Sequence, residues 1–280
     1  MNLRNAVFSG SFYNDNPIKL KKTIDSFISN CEKRQTLGLV VPHAGYIFSG
    51  KTACIAYSAV KKDFDTIILF GTNHNSLGSI DVSNEAWETP LGILEPDIEL
   101  IEEITKDFSI KQSNAPHQIE HSIEVQLPFI KHVFGDVKIV PISMNPYYFD
   151  SESCEYVGSK VAFAVKKLGR KALLVASSDF THYGASYGFE PYRGSKNVLE
   201  KIKENDMALV DLITKLRPES VIDFVEKNKM TVCGYGPIAA MLFAAKQLGA
   251  KSGKLLDYST SFDVSKNKEA IVGYAGIAIY

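Results

Sequence analysis

The six histidines and four cysteines carry most of the metal-binding and acid–base chemistry in this sequence, and several fall at telling places. His43, in Pro42-His43-Ala44-Gly45-Tyr46, comes two residues after the apolar run Leu37–Val41; His74, in Gly71-Thr72-Asn73-His74, comes four after the run Thr66–Phe70. Asp179 follows Ala172–Ala176 by three residues, within Ser177-Ser178-Asp179-Phe180-Thr181-His182-Tyr183-Gly184. Short apolar runs of this kind read as buried strands. Each side chain is therefore expected at a strand's C-terminal end, the edge along which open α/β sheets bind ligands. A single histidine there is most simply a satisfied core residue, whereas two at neighbouring strand ends are candidate metal ligands. Asp179 and His182, three apart in a loop, suit a histidine acid or base with a carboxylate that orients and tunes it. The plain alternative for Asp179 is a turn cap.

Cys233 precedes Gly234, Gly236 and Pro237 and then an apolar helical pattern, so Pro237 suits a first helical turn and Cys233 faces its positive end. That position lowers a thiol's pKa and prepares the thiolate, the form that binds metal. Taken by itself Cys233 is equally well a small buried hydrophobe. In Glu120-His121-Ser122-Ile123-Glu124, His121 is a pocket candidate, while Glu120 and Glu124 read as helix-start carboxylates. His117 and His132 read as ordinary, His132 on a helix surface.

Two glycine patterns mimic nucleotide sites. Gly45-Tyr-Ile-Phe-Ser-Gly50-Lys51-Thr52 fits G-x-x-x-x-G-K-[ST] between an expected strand and an expected helix. Its interior, Tyr46, Ile47 and Phe48, is bulkier than a phosphate-wrapping loop needs, and no strand ends cleanly in a partner carboxylate. The loop reads better as an aromatic cluster beside His43. Gly234-Tyr-Gly236-Pro-Ile-Ala239 resembles G-x-G-x-x-A but follows only the weak run Met230–Cys233.

The elements that must hold these residues are expected as follows. Strands are read at Leu37–Val41, Thr66–Phe70, Val137–Ile142, Ala172–Ala176, Lys254–Tyr258 and Ile271–Tyr280, and helices at Ile18–Asn30, Lys51–Lys61, Ile98–Asp107, Ser122–Phe134, Ser151–Leu168, Gly194–Thr214, Pro218–Lys227 and Pro237–Leu248. Pro128 should bend or shorten the helix that contains it. Alternation of the two kinds implies a largely parallel, covered sheet. With 280 residues, 45% of them hydrophobic, and no internal repeat or Pro/Gly/Ser-rich linker, the expectation is one domain over residues 1–280. A formal net charge of −1 gives no field for nucleic acid. The absence of a long apolar run argues against a membrane span. Without a secretory h-region or a C-x-x-C pair, a reducing, cytoplasmic setting is expected.

Together these motifs resemble the Memo-like family, called AmmeMemoRadiSam system protein B in prokaryotes. The resemblance is carried by Phe8–Tyr13, Pro42–Gly50, Gly71–His74, Trp87-Glu-Thr-Pro-Leu-Gly92, Glu120–Phe129, Ser177–His182 and Cys233-Gly234. It implies a three-layer α/β/α fold around a mixed sheet, similar to the class III extradiol dioxygenases. It implies a metal site from His43, His74 and Cys233, with Asp179 and His182 alongside; His182 and Asp179 are the expected catalytic pair, and Tyr46, His121 and Tyr183 are candidate pocket residues. Iron as Fe(II) is the expected cofactor and a dioxygenase-like oxidoreductase of a small molecule the expected function. Because Cys233 stands where the dioxygenases place a carboxylate, copper and zinc also suit the set. The alternative function is a non-enzymatic scaffold whose cleft, with Tyr46, Trp87 and Tyr183 as aromatics, accepts a peptide or protein.

Overall fold

The computed structural model describes residues 2–29, 32–107 and 109–280. Cys31 and the expected end of the first helix at Asn30 lie outside the described residues. Among the described residues the chain builds a nine-stranded mixed sheet in which Gly38–Val41, Ala172–Ser177, Thr66–Thr72 and Lys138–Met144 run parallel and adjacent, in that order. Ala270–Ile279 adds antiparallel beside Gly38–Val41, and itself pairs with Gly253–Thr260 and with His182–Gly184. At the other edge Ile80–Val82 runs antiparallel to Lys138–Met144 and carries Lys111–Gln112. A small separate sheet joins Leu3–Arg4, Ala86–Thr89 and Gly92–Leu94.

Strand side chains alternate between faces, and the core divides accordingly. Leu39, Val41, Ile67, Leu69, Ile139, Leu173 and Val175 pack against the helices Pro17–Phe27, Tyr46–Ser58 and Leu127–Phe134. Val40, Ile68, Phe70, Val140, Ile142, Leu174 and Ala176 pack against Ser151–Lys167, Pro218–Lys227 and Tyr235–Gln247. Both faces are buried, so the central strands read as unbroken apolar runs. The molecule is thus an α/β protein with helices on either side of a mixed sheet.

Three expectations are corrected. The helix expected at Lys51 begins at Tyr46, with Gly45 at its N-cap, and this removes the phosphate-loop reading. The Tyr46 amide donates to Phe12 O at 2.8 Å, and the Phe48 and Ser49 amides donate to Gly45 O at 2.8 and 3.2 Å. Amides already spent in a first helical turn cannot wrap a phosphate. ATP is therefore expected to leave the melting temperature unchanged, and Lys51→Ala to make no difference; a Lys51-dependent thermal shift would contradict this. The helix expected over Ser122–Phe134 is two pieces, His121–Glu124 and Leu127–Phe134, because Pro128 sits in the first turn of the second and cannot continue the first. The helix expected from Gly194 starts at Val198. Among the described residues, no helix is long and apolar enough to cross a membrane.

Candidate metal centre

His43, Asp179 and His74 leave the C-terminal ends of three adjacent parallel strands, Gly38–Val41, Ala172–Ser177 and Thr66–Thr72. Two close approaches add the remaining groups. A Cβ on Gly234 would lie 2.5 Å from Ser178 Cβ and 2.7 Å from Ser177 O, so only glycine lets the Cys233-Gly234 turn reach that strand end. A Cβ on Gly71 would lie 2.5 Å from Ile123 Cγ1, and its lack lets the His121–Glu124 turn settle over Thr66–Thr72. Cys233 and His121 are brought to the same point by these contacts.

Cys233 Sγ lies 3.2 Å from His43 Nε2. The His43 ring is 5.3 Å, centroid to centroid, from both His74 and His121, and the latter two stack at 4.5 Å. One ligand nitrogen from each of these three histidines falls within 4.8 Å of the others, a group able to hold a metal ion.

Hydrogen bonds fix the ring tautomers. Ser177 Oγ donates its one proton to Ser122 O at 2.6 Å and accepts from Gln126 Nε2 at 2.8 Å, so its contact with His43 Nδ1 at 3.0 Å requires Nδ1 to be the donor. His74 Nδ1 donates to Glu120 Oε1 at 2.9 Å. In both rings Nε2 is left for the cleft. Glu120, fully buried, also accepts from the His74 amide at 2.6 Å, the Ser122 amide at 2.8 Å and Asn75 Nδ2 at 3.2 Å. A carboxylate behind a histidine is the usual outer support of a metal-binding imidazole.

The electrostatics follow. Burial pushes the Cys233 thiol up, but the His43 and His74 imidazoles beside it outweigh this and bring it down to about 6. Burial pulls His74 down, and its contacts with Cys233 and Glu120 reverse that, raising it to about 10. In the metal-free protein these two form a thiolate–imidazolium pair near neutral pH. Burial and the neighbouring His43 hold His121 down at about 3, so it stays neutral. Burial raises the Glu120 carboxyl, but His74 and His121 outweigh it and hold it at about 2. Cys154, by contrast, is buried and pushed up to about 12. Alkylation of the metal-free protein should therefore select Cys233 over Cys154 at pH 7 and slow as pH falls through 6; equal labelling of the two would contradict the site's electrostatics.

The expected site residues separate into those at the cleft and those away from it. A cleft of about 570 Å³, lined by Phe12, Phe48, His121, Asp179, His182 and Tyr187 among others, reaches the cluster at His121. His182 Nδ1 donates to Phe180 O and Thr231 O at 2.9 and 2.8 Å, which leaves Nε2 as an acceptor. Asp179 does not orient His182 by a hydrogen bond; its Oδ1 accepts the His43 amide at 2.8 Å and so holds the His43 loop. Burial raises its carboxyl. Tyr46 does not line the cleft: it is buried, stacks on Phe129 at 4.2 Å and donates to Val125 O. Tyr183 is buried too, stacked on Tyr192 from the middle of the short edge strand His182–Gly184. Trp87 lies in the core beneath the Arg4 guanidinium, 4.1 Å from its ring. In each case an apolar ring found a packing partner away from solvent.

Sequence reasoning missed the roles of Glu120, Ser177 and Glu124. Glu120 next to His121 was the available signal, but a carboxylate ahead of a helix is ambiguous. Glu124 is fully buried and pairs with Arg4 at 2.6 Å, a contact across 120 residues that no local pattern announces.

An α/β protein whose strand ends gather imidazoles, a low-pKa thiol and buried carboxylates under one cleft is a candidate metalloprotein. Residues 4–278 match the model of the family described as Memo-like protein. The chain is 40% identical to a MEMO1 family protein of Methanosarcina acetivorans and 38% identical to one of Pyrococcus abyssi, over 100% and 99% of both partners' lengths. This chain belongs to the Memo-like family. A crystal structure of an uncharacterized protein from Escherichia coli K12 shares the fold at a TM-score of 0.50 and 14% identity, covering 86% of this chain and 99% of that one.

Proposed function

We propose that this protein holds a metal ion through His43, His74 and Cys233 and carries out redox chemistry on a small molecule in the cleft above. The observation that carries this reading is the meeting of His43 Nε2 and Cys233 Sγ at 3.2 Å beside His74, with both Nδ1 atoms already engaged by Ser177 and Glu120. The His43 imidazole, the His74 imidazole once an ion displaces its Nε2 proton, and a thiol held near its thiolate form fit a borderline or softer divalent ion. Iron is the ion the family's likeness to extradiol dioxygenases favours, and copper and zinc suit the same donors. Bound there, a redox metal would supply electron transfer to a substrate or to dioxygen.

The chain's own groups have separable tasks. His182 Nε2, its lone pair directed by the two carbonyls on Nδ1, accepts a proton from substrate. Asp179 keeps the His43 loop in place and contributes a carboxyl that burial makes easier to protonate. The volume of about 570 Å³ suits a small molecule. A redox assay under controlled oxygen, with iron-loaded protein and small phenolic or thiol substrates, should show metal-dependent turnover that His182→Ala abolishes. Peptide binding without any such turnover would favour the scaffold function instead.

The pKa values set a pH dependence. Between pH 6 and 10, metal must displace the His74 proton but not one from Cys233, so binding should release about one proton and affinity should fall about tenfold per pH unit lowered. Below pH 6 the Cys233 proton must leave as well, and the slope should steepen. Calorimetric zinc titrations in buffers of different ionisation enthalpy measure this; a binding constant independent of pH from 6 to 9 would contradict it.

A further inference from the structure

The geometry points to His121 as a fourth protein donor to the ion, completing a set of three imidazoles and one thiolate. This rests on the metal reading above and adds to it a ligand, with a consequence for which ion can be catalytic. His121 enters the same 4.8 Å group as His43 and His74, while Cys233 Sγ, 3.2 Å from His43 Nε2, lies outside that group. Its ring lies parallel to His74 at 27° and nearly perpendicular to His43 at 89°. Glu120 Oε1 accepts from His74 Nδ1 at 2.9 Å and lies 3.4 Å from His121 Nδ1, so both rings of the stacked pair set Nδ1 toward one carboxylate and Nε2 away from it. On its outer side the His121 ring rests on Phe12 at 4.8 Å and Phe8 at 5.6 Å.

A tetrahedral set with metal–nitrogen bonds of about 2.0–2.1 Å brings nitrogens to about 3.3 Å from one another. The imidazoles must therefore draw inward on binding. His121 has the slack for this, since its contact with Glu120 is the looser of the two. Four protein donors close a tetrahedral zinc site and leave no position for a water to be activated. Octahedral iron with the same four donors keeps open positions. A fourth donor thus argues against zinc hydrolysis here and for an ion of higher coordination number.

The test uses zinc(II) alone as probe on the full metal-free chain labelled with nitrogen-15, followed by long-range proton–nitrogen correlation of the six histidines. His43→Gln, His74→Gln and His121→Gln assign the signals. The expected result is that Nε2 of His43, His74 and His121 all move to the metal-bound range on addition of one equivalent, with Nδ1 still protonated and His182 unmoved. Movement of His43 and His74 without His121 would overturn the fourth donor while leaving the metal site standing. If none of the three moves, the metal reading fails and the fourth donor with it. Because the readout is the unmodified protein's own spectrum, misfolding of a variant cannot imitate either answer.

Discussion

Replacing Cys233 with alanine is expected to reduce bound metal from about one ion per chain to a small fraction of that, with the fold retained. The thiol is held near its thiolate form at neutral pH and is the only sulfur at the cluster among the described residues. Its loss removes both the softest ligand and the charge that balances the ion. The fold should survive because Cys233 sits in a turn ahead of the helix Tyr235–Gln247, while the apolar face of that helix carries the packing. His43→Ala and His74→Ala should behave alike. Cys233→Asp restores a hard carboxylate and should retain iron better than copper. Metal analysis after gel filtration, with circular dichroism as the fold control, checks all four variants; unchanged stoichiometry in Cys233→Ala would remove Cys233 from the ligand set.

Glu124→Ala is expected to cost about 3–5 kcal/mol of stability, since it strands a buried guanidinium. Both partners of the Arg4–Glu124 pair are wholly inaccessible. Glu124 also accepts from Tyr13 Oη at 2.6 Å, the Phe8 amide at 2.7 Å and the Val7 amide at 3.2 Å, so the N-terminal segment is fastened through one carboxylate. Arg4 in turn donates to His117 O at 2.7 Å and Glu120 O at 3.0 Å, bracing the turn that carries Glu120 and His121. At this chain length the cost corresponds to a fall of roughly 10 °C in melting temperature. The same variant should weaken metal binding, because Phe8 and Phe12 lose their anchor over His121. A surface pair such as Lys215–Asp211 should cost under about 1 kcal/mol when broken. Comparable melting temperatures for the two variants would contradict the role given to Glu124.

The sheet was legible because burial on both faces writes each central strand as an unbroken apolar run, as at Thr66–Phe70 and Ala172–Ala176. The short edge strands Ile80–Val82 and His182–Gly184 were not, since three residues carry no period. The strand-end rule placed His43, His74 and Asp179 correctly at one edge, and Cys233 does stand just ahead of a helix. What the sequence could not supply was partnership. Tyr46 and Trp87 are ambiguous between cleft and core until a neighbour is known, and both went to the core. His121 was read as a pocket residue and does line the cleft, but its approach to His74 beside Glu120, in a turn that Gly71 admits by having no side chain, is not written in any local pattern. Asp179 sits three residues from His182, which invited an orienting role, yet the backbone turns its carboxylate toward the His43 amide instead.

The central claim is that a metal ion is held by His43, His74 and Cys233. Its most direct test is an anomalous-difference map from crystals of protein purified without oxygen and loaded with iron(II), recorded on both sides of the iron absorption edge. The account predicts one peak, present only above the edge, within bonding distance of His43 Nε2, His74 Nε2 and Cys233 Sγ. Ordered density for all three side chains with no peak between them would contradict it.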